Sequence, residues 1–397
     1  MKASRAAAAI ALAIALSVSA GCSVEIFNGN ESKSSDDISR RESGSYSSQL
    51  DFPVTDTMET LPYSMKSALT QEQVNVYNRL IYDIERFELK FELENVTQED
   101  FTRAYYAVLD DHPEYFWLGK NFSCRITTTG SYSVIVAEPV VMSGTIEEIK
   151  VMQKELEADV DRIISSAPKN GSSYDKVLYL HDYIIDNTSY DNGAVEIIDS
   201  GETDTVLNAT KSYGCIVEKK AICSGYAAAF QLLCSRLGIS CYLVSGTRIS
   251  ESGPHQWNFL ELDGEYYYMD VTWDDPVRAD GQSVRSYEYF LISGDDLALT
   301  HKLDNERSLP ECSGKRNNYY IRNGLYFEEY DFRYVEDVAK RAEGTGEITL
   351  KFSSRQETSR AFNDLFNGDK MVFRLPGVSS GISYTMSASG RILTIRY

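Results

Sequence analysis

Near its middle the chain reads as a helix, a strand and a hairpin, an order that requires a core of mixed helix and sheet. The helix has an apolar stripe at 4-3-4 spacing, with three alanines at 227–229, and Gly238 supplies a stop. The stripe consists of Tyr226, Phe230, Leu233 and Leu237. The helix is therefore predicted to begin at Ser224, with Cys223 at its N-terminus. There the unpaired N–H groups and the helix dipole favour a thiolate over a thiol.

A predicted hairpin follows this helix. After a strand pattern at 239–245, two more strand patterns at 255–262 and 265–273 flank the dipeptide Asp263-Gly264. This dipeptide is a strong signal for a two-residue turn between antiparallel strands.

The register of the hairpin places two polar residues on one face. With the turn at 263–264, the numbers of paired residues sum to 527. His255 then lies opposite Thr272, and Asp270 opposite Trp257. His255 and Asp270 become diagonal neighbours with Cα atoms roughly 7–8 Å apart, within reach of a hydrogen bond between their side chains.

These three residues together predict a catalytic triad. A cysteine at a helix start, followed by a histidine and a carboxylate, suits thiol acyl transfer: Asp270 fixes the tautomer, His255 takes the proton and Cys223 attacks. Two other histidines receive different predictions. His181, on the apolar side of a predicted helix, is expected to be a core histidine, and His301 is expected to cap a loop.

Three motifs resemble the signature blocks of the transglutaminase-like superfamily, in its bacterial secreted branch. They are CSGYA at 223–227, HQWN at 255–258 and DVTWDDP at 270–276. The dipeptide Tyr190-Asp191 resembles a block that lies upstream of them, and the resemblance covers about 174–301.

The resemblance implies an α+β fold with a papain-like core, in which the cysteine helix packs on an antiparallel sheet. It implies that Cys223 is the nucleophile, His255 the general base and then acid, and Asp270 the orienting carboxylate. The calcium-binding loops of animal transglutaminases are not recognisable, so neither a metal nor a cofactor is expected. Gly225 is expected to leave room for a substrate backbone.

Three functions remain open at this point. Hydrolysis of peptide or protein amides, including cell-wall peptides, is favoured because no site for an acceptor amine is evident. The alternatives are a transamidase that cross-links proteins and a non-catalytic surface-binding protein on the same scaffold. Acidic residues at Asp274, Asp275 and Asp280 are interpreted as solvated charges near the cleft.

The N-terminus predicts export. Lys2 and Arg5 precede an apolar run, and Ser-Ala-Gly-Cys at 19–22 resembles a lipoprotein cleavage site, so 1–21 is predicted to be a signal peptide. Cys22 is then the lipidation site that holds the protein at the outer face of a bacterial membrane, with plain secretion as the alternative. The Ser-rich stretch 22–50 is predicted to be a disordered tether.

Charge and cysteine spacing exclude some classes of partner and site. The net charge of −20 disfavours nucleic acid and anionic lipid surfaces as partners. No Cys-x-x-Cys pair is present, so a zinc site is not expected, and most of the remaining cysteines are expected to be small buried hydrophobes. The oligomeric state is left open.

Three folded units are predicted after the tether: a mainly helical N-terminal domain at 51–145, the catalytic domain at 146–310 and a small C-terminal α+β domain at 311–397. The predicted helices lie at 71–87, 145–164, 174–185 and 353–366, and the strands outside the catalytic domain lie at 131–141, 348–352, 371–375 and 392–397.

Overall fold

The computed structural model describes residues 61–142, 144–201, 207–249, 253–276, 285–304, 307–378 and 381–397, together with the backbone of one strand, β1 (Val24–Asn28). The predicted signal peptide, its cleavage site and Cys22 lie outside the described residues. Strand β1 falls within the predicted tether and pairs in parallel with a strand of the N-terminal unit.

The N-terminal unit combines two helices with a sheet. Its elements are α1 (Gln71–Ile84), β2 (Phe91–Glu94), α2 (Gln98–Asp111), β3 (Leu118–Thr129) and β4 (Tyr132–Val141). The strand order is β1-β3-β4-β2. The unit was expected to be mainly helical, and it also contains the long hairpin of β3 and β4, which forms one wall of the core.

In its described residues, the middle of the chain contains five α-helices and a second four-stranded sheet. The helices are α3 (Ile146–Ser166), α4 (Ser173–Asn187), α5 (Asn192–Asp199), α6 (Cys223–Arg236) and α7 (Gly294–Leu297). The strands are β5 (Ser189–Tyr190), β6 (Lys220–Ala221), β7 (Cys241–Arg248), β8 (Pro254–Leu262), β9 (Glu265–Met269) and β10 (His301–Leu303). The sheet has the antiparallel order β10-β7-β8-β9, and β5 pairs with β6.

Local sequence signals explain several of these boundaries. A hydroxyl side chain at Thr70, Thr145 and Ser172 caps α1, α3 and α4 in reciprocal capping boxes. Asp263 and Gly264 both have positive φ, at 54° and 77°, as a type I′ hairpin turn requires. The predicted register is confirmed, because residue 262 pairs with 265 and residue 258 with 269.

Helix α6 packs on the antiparallel sheet, as the family resemblance implied. Every residue from Gly225 to Cys234 is buried. The side chain of Asn258 on β8 donates a hydrogen bond to the carbonyl of Ala227, at 3.0 Å, and so ties the helix to the sheet. One hydrophobic core runs from the N-terminal unit through α3, α4 and α6 to β8 and β9.

The C-terminal domain has a separate core. Its elements are α8 (Tyr319–Arg322), β11 (Tyr326–Phe327), α9 (Phe332–Arg341), β12 (Glu347–Phe352), α10 (Arg355–Phe362), β13 (Ser383–Met386) and β14 (Ile392–Arg396). The sheet order is β11-β12-β14-β13. The strand predicted at 371–375 is instead a short 3-10 helix, and α9 and β13 were not predicted. The domain boundaries at 145 and 310 stay predictions.

None of the helices in the described ranges combines the length and hydropathy that a bilayer crossing requires.

Candidate active site

Cys223 is the first residue of α6, at the position that the helix pattern predicted. The residue before it, Ile222, is extended and its side chain does not cap the helix, so the first N–H groups of α6 point past Cys223 without a capping side chain. Cys223 is partly exposed, whereas the five other described cysteines are buried. It is therefore the one cysteine among the described residues that a substrate can reach without unfolding.

Gly225 is required for packing, which corrects the expectation that it makes room for substrate. A Cβ atom at this position would lie 2.4 Å from the carbonyl oxygen of Ala209 and 2.9 Å from the Cβ of Ala221. The N–H of Ile222 donates to the same Ala209 carbonyl at 2.8 Å. Gly225 thus allows the segment around Ala209 to press against the start of α6.

His255 and Asp270 form the predicted pair. His255 is the second residue of β8, and its Nε2 lies 2.6 Å from Oδ2 of Asp270. Both side chains are almost fully buried, at 3% and 1% exposure. A short hydrogen bond to a buried carboxylate fixes the imidazole ring and its tautomer.

The backbone reaches this pairing by a different route from the one predicted. Strand β9 ends at Met269 and not at residue 273, so Thr272 does not pair with the β8 strand. The chain turns at Asp270, and Oδ1 of Asp270 accepts the N–H of Trp273 at 3.1 Å. This turn aims the carboxylate at His255 across the end of the hairpin.

Cys223 completes the arrangement. His255 and the backbone N–H of Gln256 both act on its thiol and favour the charged form. Because Nε2 of His255 is engaged by Asp270, Nδ1 is the ring nitrogen left to interact with the thiol. The three residues predicted to form a triad are therefore brought together.

The charges of the site favour a thiolate–imidazolium pair. Burial raises the pKa of Cys223, but the hydrogen bond and positive charge of His255 and the N–H of Gln256 outweigh it, so that the pKa lies below its ordinary value. Burial lowers the pKa of His255, yet the charge and hydrogen bond of Asp270 outweigh it and raise that pKa to about 10. Burial also raises the pKa of Asp270, but His255, and then His301, hold it well below its ordinary value.

His301 was missed as a member of this site. It does not cap a loop: it is 3% exposed, and its Nε2 lies 3.1 Å from the Asp270 oxygen that also bonds to His255. Its Nδ1 lies 2.8 Å from the hydroxyl of Thr300. Oδ2 of Asp270 therefore faces two histidine nitrogens.

The pairing of β10 with β7 explains why local sequence could not reveal His301. His301 is aligned with Arg248, in a strand that lies far earlier in the chain. Gly246 permits this close approach, because a Cβ atom there would lie 2.1 Å from the carbonyl oxygen of Lys302. A histidine at the start of a short strand carries no local signal of such a partner.

Two neighbouring acids are buried, which corrects their interpretation as solvated charges. Asp274 is 0% exposed and bonds to Nε2 of His181 at 3.2 Å and to the N–H of Tyr289 at 3.0 Å. Asp275 is 6% exposed and accepts a hydrogen bond of 2.7 Å from the hydroxyl of Tyr226. These bonds anchor the turn after Asp270 to α4 and α6, and His181 is the core histidine that was predicted.

Asp280, the third acid interpreted as a surface charge, lies outside the described residues.

Aromatic rings enclose the histidines. The rings of Trp257 and Trp273 have centroids 5.7 and 6.1 Å from that of His255, and the Trp273 ring is 4.7 Å from that of His301. Such rings exclude water from the pair of His255 with Asp270, which strengthens that hydrogen bond.

The group of His255, Asp270 and His301 has the residue types of a metal site, since three ligand atoms lie within 4.8 Å of one another. The distances suit hydrogen bonding better. Metal–ligand bonds of about 2.0–2.2 Å in a tetrahedral site separate the ligand atoms by more than 3 Å, whereas His255 Nε2 and Asp270 Oδ2 are 2.6 Å apart. The group is therefore a hydrogen-bonded network.

The remaining cysteines contrast with Cys223. Burial raises the pKa of Cys215 and of Cys312 to about 12. Cys234 lies beside Cys241 in the core, and burial raises its pKa as well. These thiols fill space as buried hydrophobes, as expected.

Comparison with known proteins gives one family and several distant structures. Residues 161–271, which include all three triad residues, match the family model of the transglutaminase-like superfamily. No curated protein of significantly similar sequence was found.

The solved structures that resemble the chain are remote. A transglutaminase structure is 14% identical with a TM-score of 0.28 and covers 49% of this chain, while this chain spans only 61% of that protein. A candidate cysteine protease from Cytophaga hutchinsonii is 16% identical with a TM-score of 0.25, covering 47% of this chain and 70% of the other. A candidate protease from Parabacteroides distasonis is 10% identical with a TM-score of 0.22, covering 42% and 44%.

Proposed function

Because residues 161–271 carry the core of the transglutaminase-like superfamily, we propose that this protein is a cysteine acyl-transfer enzyme. Its substrates are peptide or protein amides, and Cys223, His255 and Asp270 perform the reaction. The observation that carries the proposal is the buried 2.6 Å bond between His255 and Asp270 beside a partly exposed thiol of lowered pKa. A cysteine that only filled space would have the raised pKa of Cys215.

The reaction follows from the positions of these groups. The proton of the Cys223 thiol resides on Nδ1 of His255, and the thiolate attacks the amide carbon. The oxygen of the tetrahedral intermediate is stabilised by N–H groups at the start of α6, that of Cys223 first. His255 then gives its proton to the leaving amine, the C–N bond breaks, and a thioester remains on Cys223.

The second half of the reaction determines the product. Water that loses a proton to His255 cleaves the thioester to a carboxylic acid, whereas an amine forms a new amide. We propose hydrolysis as the main outcome, which makes the protein a peptidase or amidase. Asp274 and Asp275, the acids that follow Asp270 in sequence, are buried and paired with other residues, so they do not present charges to attract an amine.

A labelling experiment tests the nucleophile. With limiting iodoacetamide near neutral pH, Cys223 is expected to be alkylated well before Cys215, Cys234 or Cys241, because it alone combines access with a lowered pKa. Mass spectrometry of the digested protein measures this order. Equal labelling of all four in the folded protein would remove the main support for catalysis.

A turnover experiment tests the reaction. Peptide libraries and cell-wall peptides are incubated with the purified protein, with and without a labelled primary amine, and the products are followed by mass. Cys223→Ala should abolish turnover and His255→Ala nearly abolish it, while both variants remain folded. Efficient incorporation of the amine would identify a transamidase. If the protein binds to cells equally well with and without these substitutions and shows no turnover, the non-catalytic alternative would be favoured.

We also propose that the protein is exported and held at a bacterial membrane by a lipid on Cys22. The support for this is the apolar run that begins after Arg5 and the sequence Ser-Ala-Gly-Cys at 19–22. Wall peptides and surface proteins would then be within its reach, and nucleic acid is not expected as a partner because the chain is strongly acidic.

A further inference from the structure

A large groove lies between the catalytic domain and the C-terminal domain. Its volume is about 780 Å³, within the range of about 300–1,000 Å³ that is typical of ligand sites. One wall comes from the turn after Asp270 and the segment that follows it, and includes Thr272, Trp273 and Tyr287. The other comes from the sheet of the C-terminal domain.

Polar contacts that are partly buried join the two walls. The carboxylate of Asp296 in the catalytic domain accepts hydrogen bonds from the side chains of Lys351 and Arg391 in the C-terminal domain, each 2.6 Å long. Glu288 accepts the N–H of Ser389 at 2.9 Å. Lys351 is only 4% exposed, so its ion pair with Asp296 is shielded from solvent. The groove is therefore a built feature of the fold and not a loose gap between domains.

The sheet of the C-terminal domain contributes a row of threonines to the groove. Thr349 on β12, Thr394 on β14 and Thr385 on β13 are aligned across the three strands, and all three line the groove. The hydroxyls of Thr349 and Thr394 are 3.2 Å apart. The alternate residues of β12 and β14 form the core of this domain on the opposite face. A row of hydroxyls suits the amides of a polypeptide.

One strand of this wall is an edge. β13 (Ser383–Met386) is the last strand of its sheet, and within the described part of the chain it pairs only with β14. All four of its residues are exposed, and Thr385 to Ala388 line the groove consecutively. The free N–H and C=O groups of an edge strand can pair with an extended peptide.

The groove comes close to His255, the general base of the triad. Trp273 lines it, and the ring of Trp273 lies 6.1 Å from that of His255, whereas Cys223 is not among its lining residues. His255 is the group that passes a proton to the leaving amine and takes one from an incoming amine. A substrate segment in the groove is therefore on the amine side of the reacting bond.

We infer that the groove binds an extended polypeptide segment on the amine side of the reacting amide, lying along β13 and leading past Trp273 to His255. In hydrolysis this segment is the leaving group, and in transfer it is the acceptor. The inference rests on the proposed function for its chemistry, and it assigns the C-terminal domain the role of a substrate-binding wall.

Filling the groove tests this inference. Thr394→Trp and Thr385→Trp each place an indole in it from a different strand, and Ser359→Trp, on the exposed surface of α10 and outside the groove, is the matched control. A small activated ester acylates Cys223, and the thioester is then partitioned between water and either glycinamide or a library of lysine-containing dodecapeptides. Melting curves establish that each variant is folded.

The groove variants are expected to lower the transfer to dodecapeptides, and the turnover of peptides extended on the amine side, by at least about tenfold. Ester hydrolysis and transfer to glycinamide should be unchanged, and Ser359→Trp should behave as the wild type. Equal losses for glycinamide and dodecapeptides, or no loss for either in both folded groove variants, would overturn the inference.

A second measurement separates failure of the inference from failure of the proposed function. If no ester acylates Cys223 in the wild-type protein, the proposed function is contradicted, and the inference about the groove is tested separately. Binding of the fluorescein-labelled dodecapeptide library to Cys223→Ala protein then tests whether the groove binds peptides. Weaker binding when Thr394→Trp or Thr385→Trp is added supports it, and binding indifferent to both folded groove variants contradicts it.

Discussion

Replacing Asp270 by asparagine should uncouple the triad while leaving the fold in place. Oδ2 of Asp270 faces His255 at 2.6 Å and His301 at 3.1 Å, and Oδ1 accepts the N–H of Trp273 at 3.1 Å. An asparagine has one acceptor oxygen and an NH₂ group that only donates. Whichever way it turns, its NH₂ must face either the histidine nitrogens or the N–H of Trp273.

The size of the effect follows from the pKa of His255. Despite burial, which lowers it, this pKa rises from 6.5 to about 10, chiefly through the charge and hydrogen bond of Asp270. That rise corresponds to about 5 kcal/mol, since each pKa unit is about 1.4 kcal/mol. Without the carboxylate the imidazole is neutral near pH 7 and no longer lowers the pKa of Cys223. We expect alkylation of Cys223 at pH 7 to slow by about 10²- to 10⁴-fold.

The rate of iodoacetamide alkylation, measured from about pH 5 to about pH 10, provides the assay. In the wild type, the rising limb should lie at lower pH than that of an ordinary thiol, because the pKa of Cys223 is lowered. In Asp270→Asn the rising limb should move to higher pH. Asp337→Asn, at a carboxylate that is 68% exposed on α9, is the matched control and should keep the wild-type profile. A wild-type profile in folded Asp270→Asn would refute this account of the charges.

Two further predictions concern His301 and Cys22. His301→Phe removes one hydrogen-bond donor from the buried carboxylate of Asp270, so we expect the protein to lose about 1–3 kcal/mol in stability and its alkylation profile to shift, whereas His301→Gln, whose amide can still donate, should restore the profile. Chemical denaturation measures the stability and the same pH series measures the profile. Equal profiles for the two variants would argue against a positioning role. Wild-type protein should partition into detergent and carry the mass of a lipid, and Cys22→Ser should lose both; recovery of the wild type only in the aqueous phase would leave plain secretion.

The sequence was sufficient for the features that depend on neighbours along the chain. The apolar stripe and Gly238 located α6 to within one residue of its start at Cys223. Asp263-Gly264 predicted the turn and the register of the hairpin, because few other residues tolerate the positive φ that this turn needs. The motifs around Cys223, His255 and Asp270 then indicated which side chains meet.

The tertiary structure decided what depends on segments that are distant in sequence. His301 reaches Asp270 through the pairing of β10 with β7, and Asp274 is buried against His181 of α4 and the N–H of Tyr289. The acidic turn therefore resembled a solvated loop in the sequence, since the chain itself does not state which partners will cover it.

The groove is the clearest case of information that the sequence alone did not contain. The alternation along β12 and β14 places Thr349 and Thr394 on one face, but contacts between the domains, such as the ion pairs of Asp296, bring this face next to Trp273. Local periodicity and turn chemistry act over a few residues and can be read directly. Strand pairing and domain docking join residues that are far apart along the chain, and their outcome depends on the packing of the whole molecule.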